Sequence, residues 1–223
     1  MRATTRRAAM AGVWLCAALS LLSTSPAAAG PVCGPGLHWV DTCPGGTDTF
    51  PSAATVGIDL TLDGITDMTI IMSGPTTIYH WPGVPHAFNT EMVQMDLIGM
   101  GFRLVAGVMY GLSPSLGQVK EQPGDPTLAD SFFDVFFEVQ LPGGGSARND
   151  DPLRVQAVID RTPPLGIPYT HGVGQPIPLY DENRILVAYL VDATHTPYPE
   201  PATWGLLATG LGALLILKRR SAA

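Results

Sequence analysis

An all-β fold is what the central part of this sequence predicts: an antiparallel β-sandwich, with a closed β-barrel as the nearest alternative. Three observations lead there. Apolar and polar residues alternate with a period of two in one short segment after another. Glycine and proline, 25 and 21 of the 223 residues, fall in nearly every gap between those segments. No long segment carries the 3.6-residue apolar period of an amphipathic helix. Two apolar end segments flank this region and read differently.

Residues 1–29 have the order of a secretory signal peptide. Arg2, Arg6 and Arg7 precede the apolar run 8–22, and Ala27-Ala28-Ala29 offers a small-residue cleavage site before Gly30. The residues around Arg6-Arg7 do not suit twin-arginine export, so the general secretory route is expected. Cys16 follows Trp14-Leu15, where lipidation needs small residues.

Export leaves two cysteines, Cys33 and Cys43, in the segment 30–53. Two cysteines in an oxidising compartment are expected to pair. Closing a loop of about ten residues stabilises by about 2–3 kcal/mol in the chain-entropy account. The spacing suits neither a zinc pair nor a C-x-x-C redox motif. The rest of 30–53 is rich in Pro, Gly and Thr and reads as a linker held by the staple.

The β domain is expected over 54–192. Ala54, Val56, Ile58, Leu60 and Leu62 alternate with polar or small residues up to the turn pair Asp63-Gly64. A return strand follows over 67–72, and Gly74-Pro75 is expected to turn the chain into a strand at 76–81. Val93, Met95 and Leu97 form the next apolar face. Phe102, Leu104, Ala106 and Val108 continue after Gly99-Met100-Gly101. Leu153, Val155, Ala157 and Ile159 form another face, and Ile185, Val187, Tyr189 and Val191 close the series.

Segment 130–141 separates the helix and strand templates. On a helix, Asp130, Asp134 and Glu138 would stack four residues apart and repel. On a strand, Phe133, Val135, Phe137, Val139 and Leu141 share one face. Asp134, Glu138 and Gln140 then share the other with Phe132 and Phe136. The β-branched and aromatic content favours the strand, with Phe133 and Phe137 inward.

The C-terminus has three parts. A linker over 193–201 carries Pro199, Glu200 and Pro201; an uncharged apolar run follows at 202–217; the basic cluster Lys218, Arg219 and Arg220 opens the last segment, 218–223. A helix over 202–217 is about 24 Å long at ~1.5 Å per residue, short against a bilayer core of about 30 Å. Trp204 stands at the outer interface and the basic cluster marks the cytoplasmic side. Proline on both sides of Glu200 keeps the outer segment extended. This tripartite tail resembles the PEP-CTERM sorting signal, the tag that exosortase recognises in Gram-negative bacteria making exopolysaccharide. The resemblance covers about a tenth of the chain. It implies transient membrane insertion through the C-terminal helix, processing by an exosortase-type enzyme near Pro199–Pro201, and a place at the cell surface or in an exopolysaccharide matrix or biofilm.

The whole chain has 12 basic and 19 acidic residues, a net charge of −7. Six of the basic residues and one acid lie in the end segments, so the part between carries about −12. Such a surface repels nucleic acid and disfavours anionic lipid, leaving cations or neutral sugars as partners.

Catalytic motifs are missing: no G-x-S-x-G elbow, no H-E-x-x-H and no phosphate loop. No catalytic residue, cofactor or metal site is expected. Three constellations have rival readings. The loop 79–86 brings Tyr79 and Trp81, which suit a sugar face, together with His80 and His86, which suit a transition metal. Its plainer reading is a proline-stiffened loop with Trp81 against the core edge. Asp59, Asp63 and Asp67 gather oxygens around one hairpin, as a calcium site would, but the EF-hand pattern is absent and a polar face with a turn is the plainer reading. His171 reads as a loop residue. The leading expectation is a non-enzymatic surface or matrix protein. A carbohydrate-binding module using 79–86 and a secreted hydrolase with a carboxylate pair are the alternatives.

Overall fold

A computed structural model of the chain describes residues 33–172 and 175–199. The signal peptide 1–29, Glu200, Pro201, the apolar run 202–217 and Lys218, Arg219 and Arg220 lie outside the described residues. Twelve strands follow in order. They are β1 (Gly46–Asp59), β2 (Met68–His80), β3 (Ala87–Gly99), β4 (Phe102–Ala106), β5 (Ser115–Gln122) and β6 (Asp125–Val135). The rest are β7 (Phe137–Gln140), β8 (Ser146–Asn149), β9 (Leu153–Ile159), β10 (Tyr169–His171), β11 (Ile177–Tyr180) and β12 (Leu186–Pro197). A 3-10 turn spans Val108–Tyr110. Among the described residues no helix is long and apolar enough to cross a membrane.

The all-β, antiparallel expectation holds. The strands make one sheet in the order β1-β2-β3-β4-β7-β8-β11-β12-β10-β9-β6-β5. Further pairings β1–β12 and β3–β5 close it on itself. The long strands β12, β1, β2 and β3 form a common wall. At one end β4, β7, β8 and β11 complete the ring; at the other end β5, β6, β9 and β10 do so. Two walls therefore enclose one core, as in a sandwich, while hydrogen bonds continue round the sides as in a barrel. Closure leaves few exposed strand edges.

Two irregularities let single strands serve both rings. In β3 the pairing with β2 slips between Thr77 and Ile78, which skips Val93. Phe88 and Met92 point inward before the slip, and Met95 and Leu97 after it. The N-terminal half of β3 pairs with β5 and the C-terminal half with β4. Such a bulge flips the facing of every residue beyond it. It also explains why Val93, expected inward, is half-buried. Opposite, Phe136 breaks the long strand between β6 and β7. Its N–H donates to Ser115 Oγ at 3.0 Å. Asn149 Oδ1 accepts the Phe137 N–H at 2.8 Å, and its Nδ2 donates to Val135 O at 2.8 Å. Ser115 and Asn149 are both buried, so the break leaves its polar groups satisfied.

The core contains most of the expected inward residues: Ala54, Val56, Ile58, Leu104, Ala106, Phe133, Val135, Phe137, Val139, Leu153, Val155 and Ile159. Other expectations are corrected. Leu60 and Leu62 are exposed because β1 ends at Asp59 and a loop follows. Gly74-Pro75 makes no turn, since β2 runs through it. A Cβ on Gly74 would sit 2.0 Å from Asp96 O, so this glycine serves close strand approach. Val108 is exposed in the 3-10 turn, and Leu141 is exposed in the loop after β7. In β12 the phase is inverted: Ala188, Leu190 and Ala193 are buried while Ile185 and Val187 are exposed. Both faces of 185–191 are apolar, so alternation alone could not choose between them. The strands also extend past the expected limits, β1 back to Gly46 and β12 forward to Pro197, so 46–53 and 193–197 are ladder rather than linker.

Candidate functional site

Cys33 and Cys43 are bonded, with Cα atoms 5.2 Å apart. The loop they close is not a loose end. Cys33 and Thr162 exchange backbone hydrogen bonds of 3.0 and 2.9 Å. The Trp39 indole donates to Thr127 O at 3.2 Å and meets the Phe88 ring edge-on, centroids 6.1 Å apart. Trp39 and Val40 are buried. The loop thus caps the end of the barrel closed by β5, β6, β9 and β10.

A second loop, joining β2 to β3, comes up against this cap. The Gly83 N–H donates to Cys43 O at 2.8 Å. A Cβ on Gly83 would stand 2.2 Å from Val40 O, so glycine alone permits the approach. The Ala87 N–H donates back to Val84 O at 3.0 Å, closing a tight turn with Pro85 and His86 at its centre. His86 has φ 65°, at the position where a type II turn favours glycine. His38, in the disulfide loop, has φ 54°. Left-handed backbone costs a residue with a Cβ about 1–2 kcal/mol, and two histidines bear that cost within one small region.

The two histidines converge on Glu121 near the end of β5. His38 Nδ1 lies 3.1 Å from Glu121 Oε1 and 3.0 Å from Oε2. His86 Nδ1 lies 3.0 Å from Oε1. The Glu121 side chain is 7% exposed, against 54% for His38 and 62% for His86. Among the described residues no lysine or arginine pairs with Glu121. Asp41 Oδ1 accepts the His86 N–H at 2.6 Å, which ties the two loops together. One side-chain ligand atom each from His38, Asp41, His86 and Glu121 fall within 4.8 Å of one another. A carboxylate at the base with two imidazoles at the solvent side can clamp the loops or hold a cation.

Most sequence candidates lie elsewhere. His80 does not join His86: it ends β2 with its side chain buried in the core. Its Nε2 is 3.4 Å from Asp48 Oδ2, and its ring packs 5.8 Å from that of Phe88. Tyr79 and Trp81 do meet, but at 81° with centroids 4.9 Å apart, so they form no common flat platform. Trp81 is 39% exposed and presents its ring singly. Asp59 and Asp67 spend their oxygens on their own loop. Asp59 accepts N–H groups of Leu62 and Gly64, both at 2.7 Å. Asp67 accepts those of Leu60 and Thr61 at 2.7 and 2.9 Å. These bonds hold the Asp67 carboxyl below its ordinary range. Asp63 accepts the nearby Ile65 N–H at 2.9 Å. His171 Nδ1 lies 3.0 Å from Arg154 O, within the sheet framework.

Carboxylates with displaced pKa values move downward: Asp96 through Arg103, Asp125 through Thr127, Asp160 through Arg161. The barrel interior holds an apolar cavity of about 40 Å³, lined in part by Ala54, Val56, Met95, Phe137, Leu190 and His195. It is far below the roughly 300 Å³ and upward of a ligand pocket.

No protein-family model and no curated protein matches the chain. Among solved structures, DynF from the dynemicin biosynthesis pathway of Micromonospora chersina is similar, with a TM-score of 0.64 and 19% identity. The match covers 79% of this chain and 89% of that one. At this identity the likeness concerns the fold alone.

Proposed function

We propose that this chain is an exported, non-catalytic cell-surface or extracellular-matrix protein. A signal peptide at 1–29 directs it out, the apolar segment 202–217 holds it in the inner membrane, and an exosortase-type enzyme processes it near Pro199, Glu200 and Pro201. The strand-rich body is then delivered to the surface, in contact with exopolysaccharide or biofilm. One observation carries the reading: a disulfide-capped β body leads directly into the tripartite tail. A disulfide suits an oxidising compartment. The ladder lasts to Pro197, and the Tyr198 N–H still donates to Pro51 O at 2.9 Å; Pro199, the first residue of the motif, follows next in the sequence.

Glu200→Ala tests the reading in a host that carries the exosortase system. Loss of the one charge in the motif leaves the protein in the membrane fraction at unprocessed mass. Release of the variant at the wild-type mass would argue against processing through this tail.

A carbohydrate-binding reading keeps one favourable observation, the exposed ring of Trp81. A single ring can stack on one sugar face. Glycan-array binding that disappears in Trp81→Ala would support it, and an unchanged or absent signal would remove it.

A further inference from the structure

We propose that His38, His86, Glu121 and Asp41 form a binding site for a divalent transition ion of the zinc class, which locks the disulfide loop to the β2–β3 turn. Four observations converge. Two nitrogen and two oxygen ligands gather within 4.8 Å. Zinc–ligand bonds of about 2.0–2.1 Å in tetrahedral array place neighbouring ligand atoms about 3.3 Å apart. One Glu121 oxygen lies 3.0 Å from each Nδ1, so each imidazole already stands near that spacing from the carboxylate. Among the described residues the buried carboxylate at the base is paired with no lysine or arginine. Finally, both histidines occupy left-handed backbone, His38 at φ 54° and His86 at φ 65°. Strain held in place by surrounding structure gathers at ligand clamps.

The ligand chemistry selects the ion. Calcium and magnesium take six or more oxygens, and this set has two imidazoles. Imidazole with carboxylate suits zinc and its neighbours. The exposed histidines leave the ion accessible from solvent, and the net charge of about −12 on the residues between the two end segments favours any cation's approach. Ligation through Nδ1 requires each neutral imidazole to carry its proton on Nε2, so binding fixes that tautomer in both histidines.

The proposal is separate from the sorting tail and survives or fails independently of it. It is tested by titrating Zn²⁺ into the purified, tag-free full-length chain with its disulfide intact. Co²⁺ absorption serves as the geometric readout, and Ca²⁺ and Mg²⁺ as controls. One Zn²⁺ per chain is expected, with intense visible Co²⁺ bands and no displacement by the alkaline-earth ions. Glu121→Gln preserves shape, and His86→Asn suits left-handed backbone. Each is expected to weaken Zn²⁺ at least about tenfold while keeping the wild-type circular dichroism. Absence of saturable uptake by the wild type would overturn the site, whatever the variants do. Uptake undiminished in both variants would overturn it as well, placing the ion elsewhere.

Discussion

His86 Nδ1 stands 3.0 Å from Glu121 Oε1, and the backbone N–H of Glu121 donates to His86 O at 2.9 Å. Side chain and main chain thus pin the same turn to the end of β5. The turn reaches that place only because Gly83 passes close to Val40.

Gly83→Ala should therefore push the two loops apart. Its Cβ would meet the Val40 and Asp41 carbonyl oxygens, which belong to backbone and cannot rotate away. A loss of about 1–3 kcal/mol is expected from overpacking. Gly124→Ala is the control, since nothing lies within 4 Å of its added Cβ, and it should stay within about 0.5 kcal/mol. Urea melts of the two variants measure the difference.

Replacing Cys33 and Cys43 by alanine should cost about 2–4 kcal/mol. The loop is anchored on the barrel, so the effect should spread beyond it. Faster amide exchange is expected at Gly83 and Thr162, whose N–H groups bond to Cys43 O and Cys33 O, as well as within 33–43. Alkylation of the unfolded, unreduced protein should label neither cysteine of the pair. Labelling of both would mean that the staple does not form.

The facing of 130–141 yields a paired test. Phe137 is fully buried, and Phe137→Ala should cost about 3–5 kcal/mol. Asp134 lies on the outer face, bidentate to Arg154 at 2.8 and 2.6 Å, while the guanidinium covers the Phe132 ring at 4.3 Å. Asp134→Ala removes a largely surface ion pair and should cost no more than about 1 kcal/mol. Denaturant midpoints separate the two outcomes.

These residues show what was legible in the sequence. Strict alternation marked β1 at Ala54–Ile58, β6–β7 and β9, because each has one apolar and one polar face. It failed at 185–191, where both faces are apolar and the barrel interior took the set that includes Ala188 and Leu190. It also failed at Gly74-Pro75, since a glycine that admits a neighbouring strand looks the same in sequence as one that turns the chain. The candidate site was almost hidden. His38 and Glu121 are 83 residues apart and meet only through ring closure and the disulfide cap. The single local hint was the Val84-Pro85-His86 turn, and there the sequence paired His86 with the wrong histidine, His80.

His195 sets an acid limit. It lies half-buried against the apolar cavity, and loss of hydration of its ring lowers its pKa from an ordinary 6.5 to about 4. In the unfolded chain it binds a proton below about pH 6.5, while the folded protein keeps it neutral down to about 4. Between those values the unfolded state holds more protons, so stability falls as pH falls. The contribution lost by pH 4 is at most about 3 kcal/mol. Thermal melts from pH 7 to pH 4 should fall more steeply for wild type than for His195→Gln; parallel curves would show that this imidazole titrates normally.

Intact-mass measurement of the protein recovered from the cell surface or medium of an exosortase-bearing host tests the central claim most directly. The account predicts a species beginning at Gly30, two mass units lighter than its fully reduced form because of the Cys33–Cys43 bond, and ending near Pro199–Pro201. A cell-associated species that begins at Met1 and still ends at Ala223, with both thiols free, would contradict it.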